Sequence, residues 1–479
     1  MAEAGPFVKE ITPPDQDYSQ WYQDVVRKAD LADYGPVAGF MVMKPAGYAL
    51  WENIQAGLDR RFKATGHVNA YFPLLIPESL LMQEAAHVAG FTPEVAWVTQ
   101  GGQEQLSERL AIRPTSEVMV GAMYAKWVQS YRDLPLLINQ WNNVVRWEKV
   151  TRPFLRGKEF LWQEGHTAHS SAEEAMAETL RMLEVYREFL ETELAMPTRK
   201  GQKSDSEKFA GAELTYSVEA MMGDRRALQA GTSHYFGTRF ATAYGIRFLD
   251  RDGVEKHAFT TSWGMSTRVI GALIMVHGDG RGLVLPPRLA PIQAVIVPIG
   301  ANASPEVLGA AQRLHGELSE TLRVHLDQRP EYTPGWKFNE WEMRGVPLRL
   351  ELGPRDMAAG QVVVVRRDTG EKRPLPLAGL AGQLGELLEA VQADMLSRAE
   401  ERLRQHTHAA SDYGEARQIL TDRLGWVEAG WCGSVACEDQ VKEETGATLR
   451  NLPLDQPAPA LCLVCGQPAR HMALWGRAY

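Results

Sequence analysis

The stretch RWEKVTRPFLRGKEFLWQEGH, residues 146–166, decides the fold of the first half of the chain. Apolar segments flank its basic centre, and Pro153 interrupts that centre, so the pattern predicts two strands joined by a turn. Because side chains alternate between the faces of a strand, Arg146 and Glu148 should share one face of the first strand. The second strand should present four side chains on one face: Phe160, Trp162, Glu164 and His166.

Such a hairpin gathers an arginine, carboxylates and flat aromatic rings on one surface of a sheet. A guanidinium group binds phosphate, and an aromatic face stacks on a planar base, so the surface is suited to a nucleotide. The alternative is a charged hairpin that only contacts solvent. Two aromatics and a histidine in phase with Arg146 favour the binding surface.

The bulk properties are those of an ordinary globular protein, with 44% hydrophobic and 23% charged residues in 479. No apolar run approaches the roughly 18 residues of a membrane span, and the polar N-terminus is unlike a secretory signal. The sequence therefore predicts a cytoplasmic protein without membrane association. A net charge of −9 argues against indiscriminate binding of nucleic acid, although a local basic patch can still bind it specifically.

All four cysteines lie near the C-terminus as two close pairs, Cys432 with Cys437 and Cys462 with Cys465. In a cytosolic chain this spacing favours a metal over disulfides. Four thiolates make a closed tetrahedral site for structural Zn²⁺ and leave no position open for catalytic water. The alternative is four ordinary buried thiols.

Hydrophobic periodicity outlines the scaffold. Apolar residues every fourth position over 48–64 predict a helix that Gly66 ends, followed by a strand in 68–77. Ser171 and Glu174 form a capping-box pattern at the start of another helix. From about Ile292, strands and helices alternate, which predicts an α/β domain with a partly parallel sheet.

Several segments together resemble the class II aminoacyl-tRNA synthetases, and among them the prolyl-tRNA synthetases. The helix and strand ending at Pro73, the hairpin from Arg146, and GMSTR ending at Arg268 are similar to the three motifs of the class. The amino-acid specificity rests on further strings: RPTSE (113–117), FLWQEGH (160–166), GTSH (231–234), TTSWGMSTR (260–268), GWKFNEWEMRG (335–345) and WGRAY (475–479). The absence of a large insertion between the second and third motifs resembles the archaeal and eukaryotic-like type, which lacks the editing insertion.

The resemblance implies an α/β multidomain protein and a homodimer whose interface includes the first motif. Three domains are expected: an antiparallel-sheet catalytic domain over 1–285, an α/β anticodon-binding domain over 286–400, and a small zinc-binding domain over 401–479. The implied reaction activates L-proline with ATP and Mg²⁺ to prolyl-adenylate and then transfers the prolyl group to the 3′ end of tRNA(Pro).

The resemblance also assigns residues, with Arg146 and Arg268 as the catalytic cations. ATP would contact Arg146, Glu148, Arg156, Phe160, Gln229, Thr232, Ser266 and Arg268. Proline would contact Thr115, Glu117, Arg146, Trp162, His166, Phe209 and His234, with Thr115 and Glu117 on one strand face. Arg156 as a solvated loop charge and Phe160 as ordinary core are the alternatives.

Two further regions receive roles by resemblance. Glu342, Arg349 and Arg355 would contact the anticodon, since arginine donates twice to guanine and glutamate accepts from it; a charged solvated surface is the alternative. In the resembling type the terminal Tyr479 folds back towards the catalytic site, and a buried end is expected here because the zinc fold brings it close; a disordered terminus is the alternative.

Other functions would give other patterns. A synthetase for threonine or glycine is the nearest alternative, and a histidine-rich metal site in the catalytic domain would favour threonine. A catalytically silent synthetase-like regulator would lack Arg146 or Arg268, and both are present. A zinc protein that only binds nucleic acid is disfavoured by the acidic charge and the hairpin.

Overall fold

The computed structural model describes residues 11–87, 94–301 and 304–479. The first region, up to residue 277, contains seven helices among the described residues. They are α1 (Tyr18–Lys28), α2 (Pro45–Ala64), α3 (Glu78–His87), α4 (Glu117–Trp127), α5 (Ala172–Thr192), α6 (Arg239–Tyr244) and α7 (Arg268–His277).

The strands of this region are β1 (Ala32–Tyr34), β2 (Met41–Met43), β3 (Val68–Asn69), β4 (Leu75–Pro77), β5 (Trp97–Gly101), β6 (Glu104–Ile112), β7 (Leu136–Val145), β8 (Glu159–His169), β9 (Thr198–Gln202), β10 (Leu214–Met221), β11 (Ala227–Gly237), β12 (Arg247–Leu249), β13 (Glu255–His257) and β14 (Phe259–Ser266). A short 3₁₀ turn spans Tyr131–Asp133.

The middle region contains β15 (Ala294–Pro298), α8 (Pro305–Leu318), β16 (Val324–Leu326), α9 (Pro334–Met343), β17 (Leu348–Leu352), α10 (Pro354–Ala358), β18 (Gln361–Arg366), β19 (Lys372–Pro376) and α11 (Leu380–Gln405). The last region contains β20 (Thr407–Ala409), α12 (Tyr413–Gln418), a π-helical turn (Ile419–Arg423), β21 (Trp426–Trp431), α13 (Val435–Thr445), β22 (Thr448–Pro453) and β23 (His471–Gly476).

An eleven-stranded sheet organises the molecule in the order β20-β21-β23-β22-β9-β10-β11-β14-β8-β7-β3. It is antiparallel except for its two edge pairings, β20 with β21 and β3 with β7. The C-terminal strands join the catalytic ones where β22 pairs with β9, through Leu452 opposite Gln202. The predicted antiparallel catalytic sheet is therefore confirmed, and it extends into the last region of the chain.

The predicted hairpin is formed by β7 and β8, which pair from Leu136 opposite Ala168 to Val145 opposite Glu159. The first strand ends at Val145, so the prediction that Arg146 and Glu148 continue it is wrong. The Arg146 amide still donates across the hairpin to Lys158 O, but the chain turns just after it, where the amide of Glu148 donates back to Arg146 O. The second strand is as predicted, and Phe160, Trp162, Glu164 and His166 all lie within it.

Helices cover one face of the large sheet. The predicted helix over 48–64 is α2, whose Leu50, Ile54, Leu58 and Phe62 are all buried, and it is followed by Gly66 with a φ of +88°. The predicted strand in 68–77 is two short strands, β3 and β4. Helix α5 begins as predicted, because the amide of Glu174 donates to the Ser171 hydroxyl at 3.2 Å. Helix α4 packs against the site strands from its own side, where the Tyr124 hydroxyl donates to His166 O at 2.8 Å.

The middle region is the predicted α/β domain. Its sheet has the order β16-β15-β17-β18-β19, with β16, β15 and β17 parallel and the last two strands antiparallel. Helix α11 runs through residue 400, where the sequence predicted a domain boundary. No helix within the described ranges is long and apolar enough to cross a bilayer.

Candidate active site

Two cavities lie side by side on the open face of the sheet, and both are lined by Glu207 and Gln229. The smaller has a volume of about 230 Å³ and the larger about 530 Å³. The smaller cavity collects most of the residues that the sequence assigned to proline: Thr115, Glu117, Arg146, Trp162, Phe209 and His234. Thr232, which the sequence assigned to ATP, lines it as well.

Arg146 provides the positive charge of the smaller cavity. Its Nε donates to Pro114 O at 3.0 Å, and its guanidinium carbon lies 5.5 and 5.3 Å from the ring centroids of Phe160 and Trp162. Burial lowers the pKa of Arg146, and the nearby carboxylates of Glu117 and Glu164 act against that shift. The guanidinium is thus held over two aromatic rings at the cavity wall.

Two buried carboxylates supply the negative charge. Glu117 begins α4, and its carboxylate accepts from the hydroxyls of Thr115 and Ser262, the latter at 3.3 Å. The prediction that Thr115 and Glu117 share a strand is wrong, because β6 ends at Ile112 and Pro114 has no amide to continue a ladder. The turn nevertheless brings both side chains to the cavity.

Glu164 is the second carboxylate; the sequence placed it on the binding face of β8 but assigned it to neither substrate. It accepts from the Ser116 amide at 3.1 Å and from the side-chain amides of Gln140 at 3.0 Å and Asn142 at 2.6 Å. Burial opposes its ionisation, but His166 at 3.2 Å and these donors outweigh burial and lower the pKa of Glu164. Glu164 is two residues after Trp162 on β8, so strand alternation alone places its side chain on the same face as Trp162.

The two histidines differ in position. Burial acts to lower the pKa of His166, but Glu164 and Glu117 outweigh burial and raise it. The ring contacts Glu164 at 3.2 Å and lines a separate narrow space with Tyr124 and Phe236. Unlike His234, it is not among the described residues that line the smaller cavity.

His234 does line the cavity. Its Nδ1 is 3.0 Å from Thr215 Oγ1, and its ring lies 4.9 Å from that of Phe209. Burial, together with the charges of His166 and Arg146, lowers the pKa of His234 to about 3. The ring is therefore neutral and apolar enough to face a hydrocarbon ligand.

The larger cavity is basic. Four arginines line it: Arg152, Arg156, Arg268 and Arg450. Arg268 begins α7, where its Nε donates to Leu155 O at 3.1 Å; burial and the charges of Arg146 and Arg156 lower its pKa to about 10. Guanidinium groups beside a helix N-terminus are a suitable environment for phosphates.

The remaining residues assigned to ATP lie around this cavity. Glu148 is 3.8 Å from Arg156, and Ser266 accepts from the Arg268 amide at 3.2 Å. Phe160 lines a separate shallow cleft with Arg156 and Thr267. Three of the residues assigned to ATP therefore line the larger cavity: Arg156, Gln229 and Arg268. Three others lie near it without lining it: Glu148, Phe160 and Ser266.

The C-terminal residue also reaches the larger cavity. Tyr479 lines it, its hydroxyl donates to Asp224 Oδ2 at 2.5 Å, and its amide donates to Ala227 O at 3.1 Å. The guanidinium carbons of Arg152 and Arg226 lie 5.7 and 5.5 Å from the centroid of its ring. Tyr479 therefore packs at the site rather than extending into solvent.

Comparison with known proteins decides the family. Three family models match: tRNA synthetase class II core domain (G, H, P, S and T) at residues 97–277, anticodon binding domain at 293–387, and prolyl-tRNA synthetase, C-terminal, at 413–479. A proline–tRNA ligase of Symbiobacterium thermophilum is 59% identical over an alignment of 489 residues. The alignment covers 100% of this chain and 100% of that protein. The chain belongs to the proline–tRNA ligase family.

Two further members of this family are nearly as similar. The proline–tRNA ligase of Natranaerobius thermophilus is 58% identical over 96% of this chain and 95% of its own length. The proline–tRNA ligase of Alkaliphilus oremlandii is 56% identical over 99% of this chain and 98% of its own length. The family and the class II fold predicted from the sequence are confirmed.

The C-terminal match contains the four cysteines. Their Sγ atoms all lie within 4.8 Å of one another, and Cys432 is 3.7 Å from both Cys437 and Cys465. A tetrahedral zinc ion with Zn–S bonds of about 2.3 Å separates its sulfur ligands by about 3.8 Å. The donor set and its spacing are compatible with zinc.

The anticodon-domain match contains the three residues predicted to read bases. Arg349 on β17 is buried, donates to Glu342 at 3.0 Å and to Glu351 at 2.9 Å, and lies 4.2 Å from the Phe338 ring centroid. Arg355 is exposed on α10. The structure thus joins Glu342 to Arg349 and places Arg355 on the neighbouring short helix.

Proposed function

We propose that the chain activates L-proline with ATP to give prolyl-adenylate and pyrophosphate, and then transfers the prolyl group to the 3′ end of tRNA(Pro). One observation carries the proposal: a small acidic cavity walled by aromatic rings adjoins a larger cavity lined by four arginines. The first has the chemistry of a cyclic imino acid, and the second has that of a triphosphate.

The smaller cavity would hold proline. Its secondary ammonium group has two N–H protons, and the carboxylates of Glu117 and Glu164 are acceptors with their own buried donors already in place. Trp162, Phe209 and neutral His234 would enclose the hydrocarbon ring. His166 would act by fixing the Glu164 carboxylate rather than by touching the substrate.

Arg146 would bind the proline carboxylate and the α-phosphate together. Attack of a carboxylate oxygen on phosphorus develops negative charge on the phosphoryl oxygens and releases pyrophosphate, so a fixed cation at that point lowers the barrier. Arg156 and Arg268 would hold the outer phosphates, while Glu148 and Phe160 would contact the adenosine. The transfer step then moves the prolyl group from AMP to the ribose hydroxyl of the tRNA.

Mg²⁺ supplies charge neutralisation to the triphosphate in this chemistry. Gln229 and Thr232 offer only neutral oxygens towards it, so the ion would enter mainly with the phosphates of ATP. The four cysteines would hold one structural Zn²⁺ ion with no substrate contact. Glu342, Arg349 and Arg355 would contact the anticodon.

The homodimer is also part of the proposal. Strand β3 forms the end of the large sheet; Val68 within it and Tyr71 shortly after it keep 60% and 70% of their surface exposed. A second copy would cover this edge. The division into 1–285, 286–400 and 401–479 stays a proposal, and the cytoplasmic location stays a prediction from the sequence.

The test is ATP–pyrophosphate exchange with each of the twenty amino acids. We expect exchange with proline. Exchange driven by threonine or glycine instead would show another specificity, and no exchange with any amino acid would show a silent relative.

A further inference from the structure

Glu438 belongs to the cysteine-bearing region but contacts the catalytic region. It lies on α13 directly after Cys437, and only 4% of its surface is exposed. Its two carboxylate oxygens accept from two different serines: Ser204 Oγ donates to Oε1 at 2.8 Å, and Ser206 Oγ donates to Oε2 at 2.6 Å. One buried side chain thus holds two points of another segment, 232 and 234 positions away in sequence.

The segment it holds, residues 203–211, is called here the 203–211 loop. Glu207 and Phe209 of this loop line the proposed proline cavity. The amides of Glu207 and Lys208 donate to Ser204 O at 3.2 and 3.0 Å, so the backbone turns around the serine that Glu438 holds. The position of Ser204 therefore sets where the two lining side chains point.

The other end of the loop is held from inside the cavity. The Phe209 amide donates to Thr215 Oγ1 at 3.0 Å, and the same hydroxyl contacts His234. Lys203, at the start of the loop, donates to Arg450 O at 2.8 Å. The contacts from Glu438 and from Arg450 O come from the last region of the chain, while Lys203 also donates from Nζ to Glu219 at 3.2 Å and from its amide to Thr215 O at 2.7 Å.

We propose that Glu438 is a positioning residue for the amino-acid pocket: through Ser204 and Ser206 it holds the 203–211 loop with Glu207 and Phe209 at the cavity. The inference rests on the proposed function, because it assigns the pocket to proline. Hydrogen bonds to a buried carboxylate are stronger than neutral ones and fix the loop before the ligand arrives. A loop that is not fixed must be ordered on binding, which weakens affinity.

Glu438→Ala should therefore raise the KM for proline in pyrophosphate exchange by on the order of tenfold, the value of about one charged hydrogen bond. The KM for ATP should rise less than the KM for proline, because Glu207 borders both cavities whereas Phe209 lines only the smaller one. The zinc content should stay at the wild-type value. Glu438→Gln should rescue most of the effect, because an amide still bonds to two hydroxyls. Asp439→Asn, an exposed neighbour that loses the same charge, is the matched control.

If Glu438 only stabilised the fold, its loss would change kcat or the KM values of both substrates. If Glu438→Ala lowered kcat or raised both KM values equally, or if Asp439→Asn had the same effect, the positioning role would be refuted. Should the alanine variant fail to fold, the double substitution Ser204→Ala with Ser206→Ala removes the same contacts from the loop side. It should give the same rise in the KM for proline, and an unchanged KM would overturn the proposal.

Hydrogen exchange of the full chain separates this inference from the proposed function. The amides of Glu207, Lys208 and Phe209 should exchange at least about tenfold faster in Glu438→Ala than in wild type or Asp439→Asn. Equal exchange rates in all three proteins would refute the proposal that Glu438 holds the 203–211 loop. If Glu438→Ala exchanges these amides faster but the wild-type protein does not activate proline, the positioning of the loop by Glu438 is upheld and the proposed substrate is rejected.

Discussion

Arg450 of β22 donates two hydrogen bonds to one carboxylate oxygen of Glu219 on β10, at 3.2 Å from Nε and 2.9 Å from Nη2. Both residues are buried, and they are 231 positions apart. Burial opposes ionisation of Glu219, but Arg450 and Lys203 outweigh it and lower the pKa of the carboxyl group. The last region of the chain is thus tied to the catalytic sheet by a buried ion pair as well as by strand pairing.

We predict that Arg450→Met lowers the free energy of unfolding by about 3 kcal/mol, because it leaves a buried carboxylate with only part of its partners. Urea unfolding followed by tryptophan fluorescence measures this, since Trp426 and Trp475 are buried in the same region. Arg404→Met is the control: Arg404 pairs with Glu401 at the surface of α11 and should leave the midpoint unchanged. Equal shifts in both variants would contradict the assignment.

Arg146→Ala should reduce proline-dependent pyrophosphate exchange by about a thousandfold, the value of one strong transition-state contact. Arg146→Lys should recover little of it, because a point charge cannot bridge two anions as a planar fork does. Arg247→Ala removes an exposed arginine that pairs with Glu255 on the β12–β13 hairpin and should be silent. Exchange close to wild type in Arg146→Ala would remove this residue from the reaction.

Local periodicity was sufficient for much of the scaffold. The buried stripe of α2, the capping of α5 and the alternation along β8 each depend on neighbours a few residues apart, so the sequence contains them directly. The errors were at strand ends. Backbone hydrogen bonds turned the chain at Arg146, and Pro114 ended the ladder before Thr115; neither alters the hydrophobic pattern.

Long-range contacts account for what could not be predicted. Arg450 and Glu438 reach the site from the last region, and no spacing in the sequence connects them to Glu219 or Ser204. Alternation placed His166 on the same strand face as Trp162 but could not show that its ring bonds to Glu164 and lines a separate space, while Glu164 lines the cavity. Strand phase selects a face of a sheet, whereas side-chain partners decide which atoms meet a ligand.

The neutral His234 makes stability depend on pH. Its pKa is about 3 in the folded protein because of burial and two nearby cations, against about 6.5 in the unfolded chain. As pH falls below 6.5, the unfolded chain gains a proton that the folded one does not, so stability falls until about pH 3. Relative to His234→Gln, wild type should lose about 2 kcal/mol between pH 8 and pH 5. A difference that stays constant over this range would contradict the burial of a neutral ring.

Arg355→Ala should raise the KM for tRNA in aminoacylation by about tenfold and leave pyrophosphate exchange unchanged, because Arg355 is exposed and lies outside both cavities. Arg313→Ala, which removes an exposed arginine of α8 in the same domain, is the control for general loss of charge. Equal KM values for tRNA in the two variants would place the anticodon contact elsewhere.

Metal analysis tests the cysteine cluster. About one zinc ion per chain is expected, and Cys437→Ser should reduce that content because a closed site needs all four thiolates. Chelation should expose four reactive thiols and lower the thermal midpoint, since the cluster holds the start of α13 and with it the Glu438 contact to the catalytic region. Asp439→Asn, on the same helix but with an exposed side chain, should keep its zinc and its midpoint. A metal-free preparation that melts like wild type would show that the four thiols stabilise the fold without a metal.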